Sequence, residues 1–92
     1  MNIKKASKFK KDYKRYLSSG FRTVTRKKEL TAIITALVNG EELDKKYKDH
    51  LLTGSWLGFR ECHIEPDFLL IYSIDSNTLE LTRLGSHSEL FK

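Results

Sequence analysis

The stretch Phe68-Leu69-Leu70-Ile71-Tyr72-Ser73-Ile74 is apolar at almost every position. A strand that carries apolar groups on both faces has to be covered on both faces, so this run predicts a central strand with material packed above and below it. Turn residues bound it on each side. Glu65-Pro66-Asp67 precedes it and Asp75-Ser76-Asn77 follows it. The flanking segments Leu57–Ile64 and Thr78–Leu84 read as its two neighbours. Short connections favour a β-meander of these three strands.

Before Gly40 the apolar period is helical. Phe9, Tyr13, Tyr16 and Leu17 recur at i, i+4, i+7 and i+8 between Ser7 and Leu17. Ser7 is the expected N-cap and Ser18-Ser19-Gly20 the stop. Leu30, Ile33, Ile34, Leu37 and Val38 repeat that spacing from about Lys27 to Val38, with Thr25 as the expected cap and Asn39-Gly40 as the end. The two helices suggest an antiparallel hairpin. Asn2-Ile3-Lys4 is a short possible strand, and Glu41–Ser55 reads as a long loop. The order β-α-α-β-β-β defines an α+β fold, a small antiparallel sheet with two N-terminal helices on one face.

The chain has 92 residues, the length of one domain, so residues 1–92 are expected to share a modest core. Its single cysteine, Cys62, excludes an internal disulfide and fits a reducing cytoplasm. No apolar run is long enough to span a membrane, and the basic N-terminus lacks the apolar stretch of a signal peptide. The net charge of +5 is unevenly placed. Residues 1–28 hold eleven Lys/Arg against one acid, Asp12, and residues 29–92 hold six against eleven. Lys8, Lys10, Lys11, Lys14 and Arg15 lie on the polar side of the first helix. Such a face attracts RNA or an acidic protein partner, and a solvated helix face has the same pattern.

The chemistry-bearing residues are in the second half. Alternation on Leu57–Ile64 puts Phe59, Glu61 and His63 on one face and Arg60, Cys62 and Ile64 on the other. The meander brings the end of its first strand, the start of its second and the end of its third to one edge. His63, Asp67, Arg83 and His87 are therefore expected to converge, with His50 on the preceding loop. Histidine exchanges protons near neutral pH, so two imidazoles, or an imidazole and a carboxylate, supply a general base and a general acid. Arginine offers a fork of donors for a phosphate. This set suits cleavage of an RNA phosphodiester, with Phe68 and Phe91 as surfaces on which bases can stack. No cofactor is expected. The spacing of His50, His63 and His87 matches no compact metal-ligand motif, so no metal is expected either. Cys62 has no histidine on its own face and reads as a buried thiol, while Trp56 and Tyr72 read as core.

The run YKDHLLTGSWLGFRECHIEPDFLLIY, followed by LTRLGSHSELF, resembles the YafQ-type toxins of the RelE/ParE superfamily. The likeness is dense over about residues 45–91 and covers the helical half by pattern only. The specific blocks are W-x-G-x-R-E-C-H-I-x-P-D and G-S-H-S-x-L-F. The resemblance implies a RelE-like fold and the toxin of a bacterial type II toxin–antitoxin pair, a ribosome-dependent endoribonuclease that cuts mRNA. It implies that His87 is the general acid and that His50, His63 and Asp67 supply the base and position the substrate. By the same likeness Arg83 holds the scissile phosphate, and Glu61, Phe68 and Phe91 belong to the site. An acidic antitoxin, mRNA and the ribosome are the implied partners. Glu61 stands where such toxins often have Asp, and Phe68 where they often have Trp. A ParE-like gyrase inhibitor shares the fold but needs no proton-transfer groups. A non-catalytic module that only binds its antitoxin is the other alternative.

Overall fold

The computed structural model describes residues 1–18 and 20–91. Ser19, part of the expected stop after the first helix, lies outside the described residues. The elements are β1 (Asn2–Lys5), α1 (Ser7–Leu17), α2 (Thr23–Val38), β2 (His50–Leu51), β3 (Arg60–Glu65), β4 (Phe68–Asp75), β5 (Thr78–Gly85) and α3 (His87–Leu90). The strands form one sheet in the order β1-β5-β4-β3-β2. β4 is therefore central, as its apolar run requires. Phe68, Leu70 and Tyr72 face α1 and α2, in a cluster with Phe9, Leu17, Leu30, Ile33 and Leu37. Leu69 and Ile71 face the other way, against Leu90 of α3 and against Leu52, Trp56 and Phe59. The second cover is thus built from the β2–β3 connection and the C-terminal tail.

Several expectations are corrected. The sheet is mixed, because β1 runs parallel to β5 while the other pairs are antiparallel. A parallel pair needs a crossover, and the two helices and three intervening strands supply the chain for it. The expected loop Glu41–Ser55 contains 3₁₀ turns at Lys45–Tyr47 and Gly54–Trp56 and the two-residue β2 between them. Ser7 is not the cap of α1. Ala6 holds that position with an extended backbone and no side-chain bond. α2 begins at Thr23 rather than near Lys27, and Thr25 lies inside it. The reason is tertiary. Arg22 and Arg26 both donate to Glu65 at the end of β3, Arg26 from Nε at 3.1 Å and Nη2 at 2.9 Å. That clamp holds the first turn of α2 against the sheet.

Two local features aim the site. Ser76 and Asn77 both have positive φ, 49° and 60°, as a two-residue hairpin between β4 and β5 demands. Ile71 opposes Arg83 while Tyr72 opposes Leu81, so Thr82 is an extra residue in β5. This bulge shifts the facing of everything after it, including Arg83. Cys62 is fully buried among the helix-facing residues, and burial pushes its thiol well above the ordinary range. It is an inert core group. No helix among the described residues is long and apolar enough to cross a membrane.

Candidate active site

Register partners on neighbouring strands share a face, so pairing alone assembles most of the site. His50 on β2 opposes Glu61 on β3, Glu61 opposes Ile71, and His63 opposes Leu69. Leu69 in turn opposes Gly85 at the end of β5. Two residues later the tail turns into α3, whose cap is Ser86, its side chain accepting from Glu89 N. That turn carries His87 back over the same face. The three imidazoles form a row, with ring centroids 6.2 Å apart for His50 and His63 and 5.5 Å apart for His63 and His87.

Each imidazole is held in the same sense. His50 Nδ1 lies 2.7 Å from Lys48 O and His63 Nδ1 lies 3.3 Å from Pro66 O. His87 Nδ1 lies 2.7 Å from Asp67 Oδ1, which also accepts from the His87 backbone N at 2.9 Å. Carbonyl and carboxylate oxygens only accept, so each Nδ1 carries the hydrogen. The three Nε2 atoms all lie within 4.0 Å of Glu61. Its Oε2 is 3.0 Å from His50 Nε2, and its Oε1 is 3.6 Å from His87 Nε2 and 4.0 Å from His63 Nε2. Glu61 is 4% exposed, and Oε1 is buried without a hydrogen-bond partner. A buried carboxylate normally has donors on both oxygens. This one instead faces two imidazoles just beyond bonding distance.

Asp67 anchors the third histidine. Its carboxyl is held below its usual range first by the His87 backbone N–H, then by the imidazole. The folded value lies below the unfolded one, so this contact contributes fully above about pH 3.9 and is lost as pH falls through the folded value. An NMR titration is expected to show the Asp67 carboxyl with a lowered midpoint. His87→Ala should raise that midpoint only part of the way, since the backbone N–H remains. An ordinary midpoint in the unaltered protein would contradict the contact.

The other expected site residues are placed as follows. Arg83 does not join the histidines. Its side chain turns to the sheet edge and bonds Asp12 of α1, with Nε at 2.8 Å and Nη2 at 3.3 Å from the two carboxylate oxygens. Phe68 is 3% exposed on the helix side, edge-on to Tyr16 and with the Arg26 guanidinium 4.2 Å above its ring. It has no free face for a base. The bulge-free alternation of β4 puts Leu69, and not Phe68, on the site face. Phe91 is 38% exposed and stands 6.2 Å from His87, at the open end of the row. Trp56, expected in the core, is half-buried and meets Phe91 and Phe59 edge-on. It makes the aromatic wall beside His87. Lys8, Lys10, Lys11, Lys14 and Arg15 are exposed on α1. Arg15 reaches Glu89 of α3 at 3.2 Å, so this basic side adjoins the histidine-bearing turn.

Two residues that the sequence reading passed over support the site. Asp49, directly before His50, accepts from Arg60 Nε at 3.2 Å and Nη2 at 2.9 Å, and from the buried Tyr72 hydroxyl at 2.5 Å. It ties the short β2 segment to β3 and β4. Asp12 does the same for Arg83. His50, Glu61 and His63 offer donor atoms within 4.8 Å of one another. Strand pairing brings them together although their spacing along the chain resembles no ligand motif.

A row of imidazoles around a buried carboxylate thus sits on a small mixed sheet backed by two helices, an α+β fold of the RelE-like kind. The chain matches over residues 1–92 the model of the family described as the bacterial toxin of type II toxin–antitoxin system, YafQ, and it belongs to that family. It is 44% identical over 64 residues to the mRNA interferase toxin YafQ of Escherichia coli K12, covering 68% of this chain and 70% of that one. Its fold is similar to the E. coli DinJ–YafQ complex, with a TM-score of 0.84, 34% identity and coverage of 99% and 98% of the two chains. It is also similar to a metal-bound toxin from Helicobacter pylori, with a TM-score of 0.86, 46% identity and 99% of each chain covered.

Proposed function

We propose that the protein is the toxin of a type II toxin–antitoxin pair and that it cuts mRNA on the ribosome, in the cytoplasm. The observation that carries this reading is the convergence of three Nε2 atoms on Glu61, each with its Nδ1 anchored elsewhere. A group that only binds has no need for this arrangement. A general acid–base pair does.

The base is drawn from His50 and His63, whose Nε2 takes the proton from a ribose 2′-OH. The 2′-oxygen attacks the adjacent phosphorus. His87, protonated at Nε2, gives its proton to the departing 5′-oxygen, leaving a 2′,3′-cyclic phosphate and a 5′-hydroxyl. Asp67 accepts the His87 Nδ1–H and so fixes that ring. Glu61 lies beside whichever imidazole carries the extra proton. Arg83, held at the sheet edge by Asp12, offers a guanidinium to the phosphate of the bound RNA, and Phe91 with Trp56 offers a base a surface to stack on. The lysines of α1 supply a polyanion contact that weakens with salt.

His50, Glu61 and His63 also fit a transition-metal ion, since imidazole and carboxylate are its usual nitrogen and oxygen ligands. Ligation there would withdraw both imidazoles from proton transfer. The likeness to the DinJ–YafQ complex supports a cognate antitoxin as the partner that silences the toxin. The test is a reconstituted translation reaction with end-labelled mRNA. Cleavage within the translated frame, with little cutting of the same RNA free of ribosomes, is the expected result. Equal cutting with and without ribosomes would overturn the ribosome dependence, and no cutting in either would overturn the activity.

A further inference from the structure

Asp12 is the single acid among the first 28 residues, which otherwise hold eleven cations. It is not a solvent-exposed counter-charge. It is 8% exposed, on the side of α1 that meets β5. Its Oδ2 accepts from Arg83 Nε at 2.8 Å and from the Leu84 backbone N at 3.0 Å, and its Oδ1 accepts from Arg83 Nη2 at 3.3 Å. β1 pairs with β5 only as far as Leu81, so Leu84 N would otherwise be an unpaired donor on the sheet edge. One carboxylate thus closes that edge and grips one side of a guanidinium.

A guanidinium has five N–H donors. Asp12 takes the Nε–Nη2 side. The two hydrogens of Nη1 and the second of Nη2 are left, and they form the end-on fork that matches two phosphate oxygens. Arg83 also lies in register with the site, since Arg83 opposes Ile71, Ile71 opposes Glu61, and Glu61 opposes His50. Its side chain is 21% exposed, so part of it is open to solvent. Arg83 was expected beside the histidines and is instead held at the sheet edge.

We infer that Asp12 is a positioning residue for RNA cleavage, holding Arg83 by one edge so that its other edge is presented to a phosphate of the bound RNA. This rests on the ribonuclease reading proposed above. It also gives a reason for a buried acid in a helix whose other charges favour a polyanion. With Asp12 neutral, the guanidinium would retain its charge and lose its fixed direction.

The experiment compares the unaltered protein with Asp12→Asn, Arg83→Ala and the double variant in the reconstituted translation reaction at saturating ribosome, with thermal melts run alongside. Asn keeps an acceptor for Leu84 N and the shape of the side chain. Asp12→Asn is expected to lower the single-turnover rate about tenfold or more. In the Arg83→Ala background the same change should have no further effect on rate. Guanidinium ion added at low millimolar concentration should partly restore Arg83→Ala and fail to restore the double variant, because Asp12 is what seats it. A purely structural Asp12 would lower the melting temperature and slow both backgrounds equally, which would overturn the inference. A faster Asp12→Asn enzyme would overturn it in the other direction, showing a contact that restrains Arg83. If Arg83→Ala itself cuts at the full rate, the phosphate role of Arg83 fails. If His87→Ala cuts at the full rate, the ribonuclease assignment of the histidines fails.

Discussion

His87→Ala is expected to slow RNA cleavage by about 10²–10⁴-fold, the usual worth of one positioned proton-transfer group. It should do so without unfolding the protein. The imidazole is half-exposed on a short terminal turn, and its loss creates no core cavity. Thermal stability should change by less than about 1 kcal/mol. His87→Gln is the sharper variant. It can still accept or donate a hydrogen bond, but it carries no exchangeable proton near neutral pH. If the ring only binds RNA, Gln should retain most of the rate. If it is the acid, Gln should be as slow as Ala. The rate is measured in single turnover on ribosome-bound mRNA, so that product release does not mask the chemical step.

Asp49→Ala is expected to cost about 3 kcal/mol of folding stability. A loss of that size lowers the melting temperature of a domain this small by roughly 12–24 °C. The carboxylate is the shared acceptor for Arg60 and for the Tyr72 hydroxyl, and Tyr72 is 1% exposed. Removing it leaves a buried hydroxyl and a partly buried guanidinium without their partner. Asp49→Asn should cost less, since one amide oxygen still accepts. His50 is the next residue, and its strand is only two residues long. The substitution should therefore also slow cleavage by the variant that remains folded. Circular dichroism melts check the first effect. A shift under about 4 °C would show that the network contributes little.

The layers of the fold were legible because the apolar periods are unambiguous. The run at Phe68 announced a strand covered on both faces, and Cys62 and Glu61 were correctly divided between the faces by alternation alone. The pairing of β1 with β5 was not legible. Four residues carry no periodicity, and their partner lies more than seventy residues away. β2 was missed for the same reason, being two residues in a segment rich in turn formers. In the site, His63, His87 and Asp67 could be placed because hairpin topology decides which strand ends meet, whereas His50, expected on a loop, reaches the site through β2. Arg83 could not be placed this way. Its direction depends on the extra residue Thr82 and on a carboxylate from α1, neither of which alternation predicts. The strand period gives Phe68 to the helix side, against its expected role in RNA stacking. The solitary acid at position 12 is the sequence signal for the Arg83 contact, and charge counting alone does not reveal it.

The most direct test of the central claim, that the imidazole row cuts RNA, is transcript 3′-end mapping in cells after induced expression, with the unaltered protein beside His87→Ala. The account predicts new 3′ ends inside translated frames that disappear in the variant. Growth arrest without new ends, or the same ends in both, would contradict it.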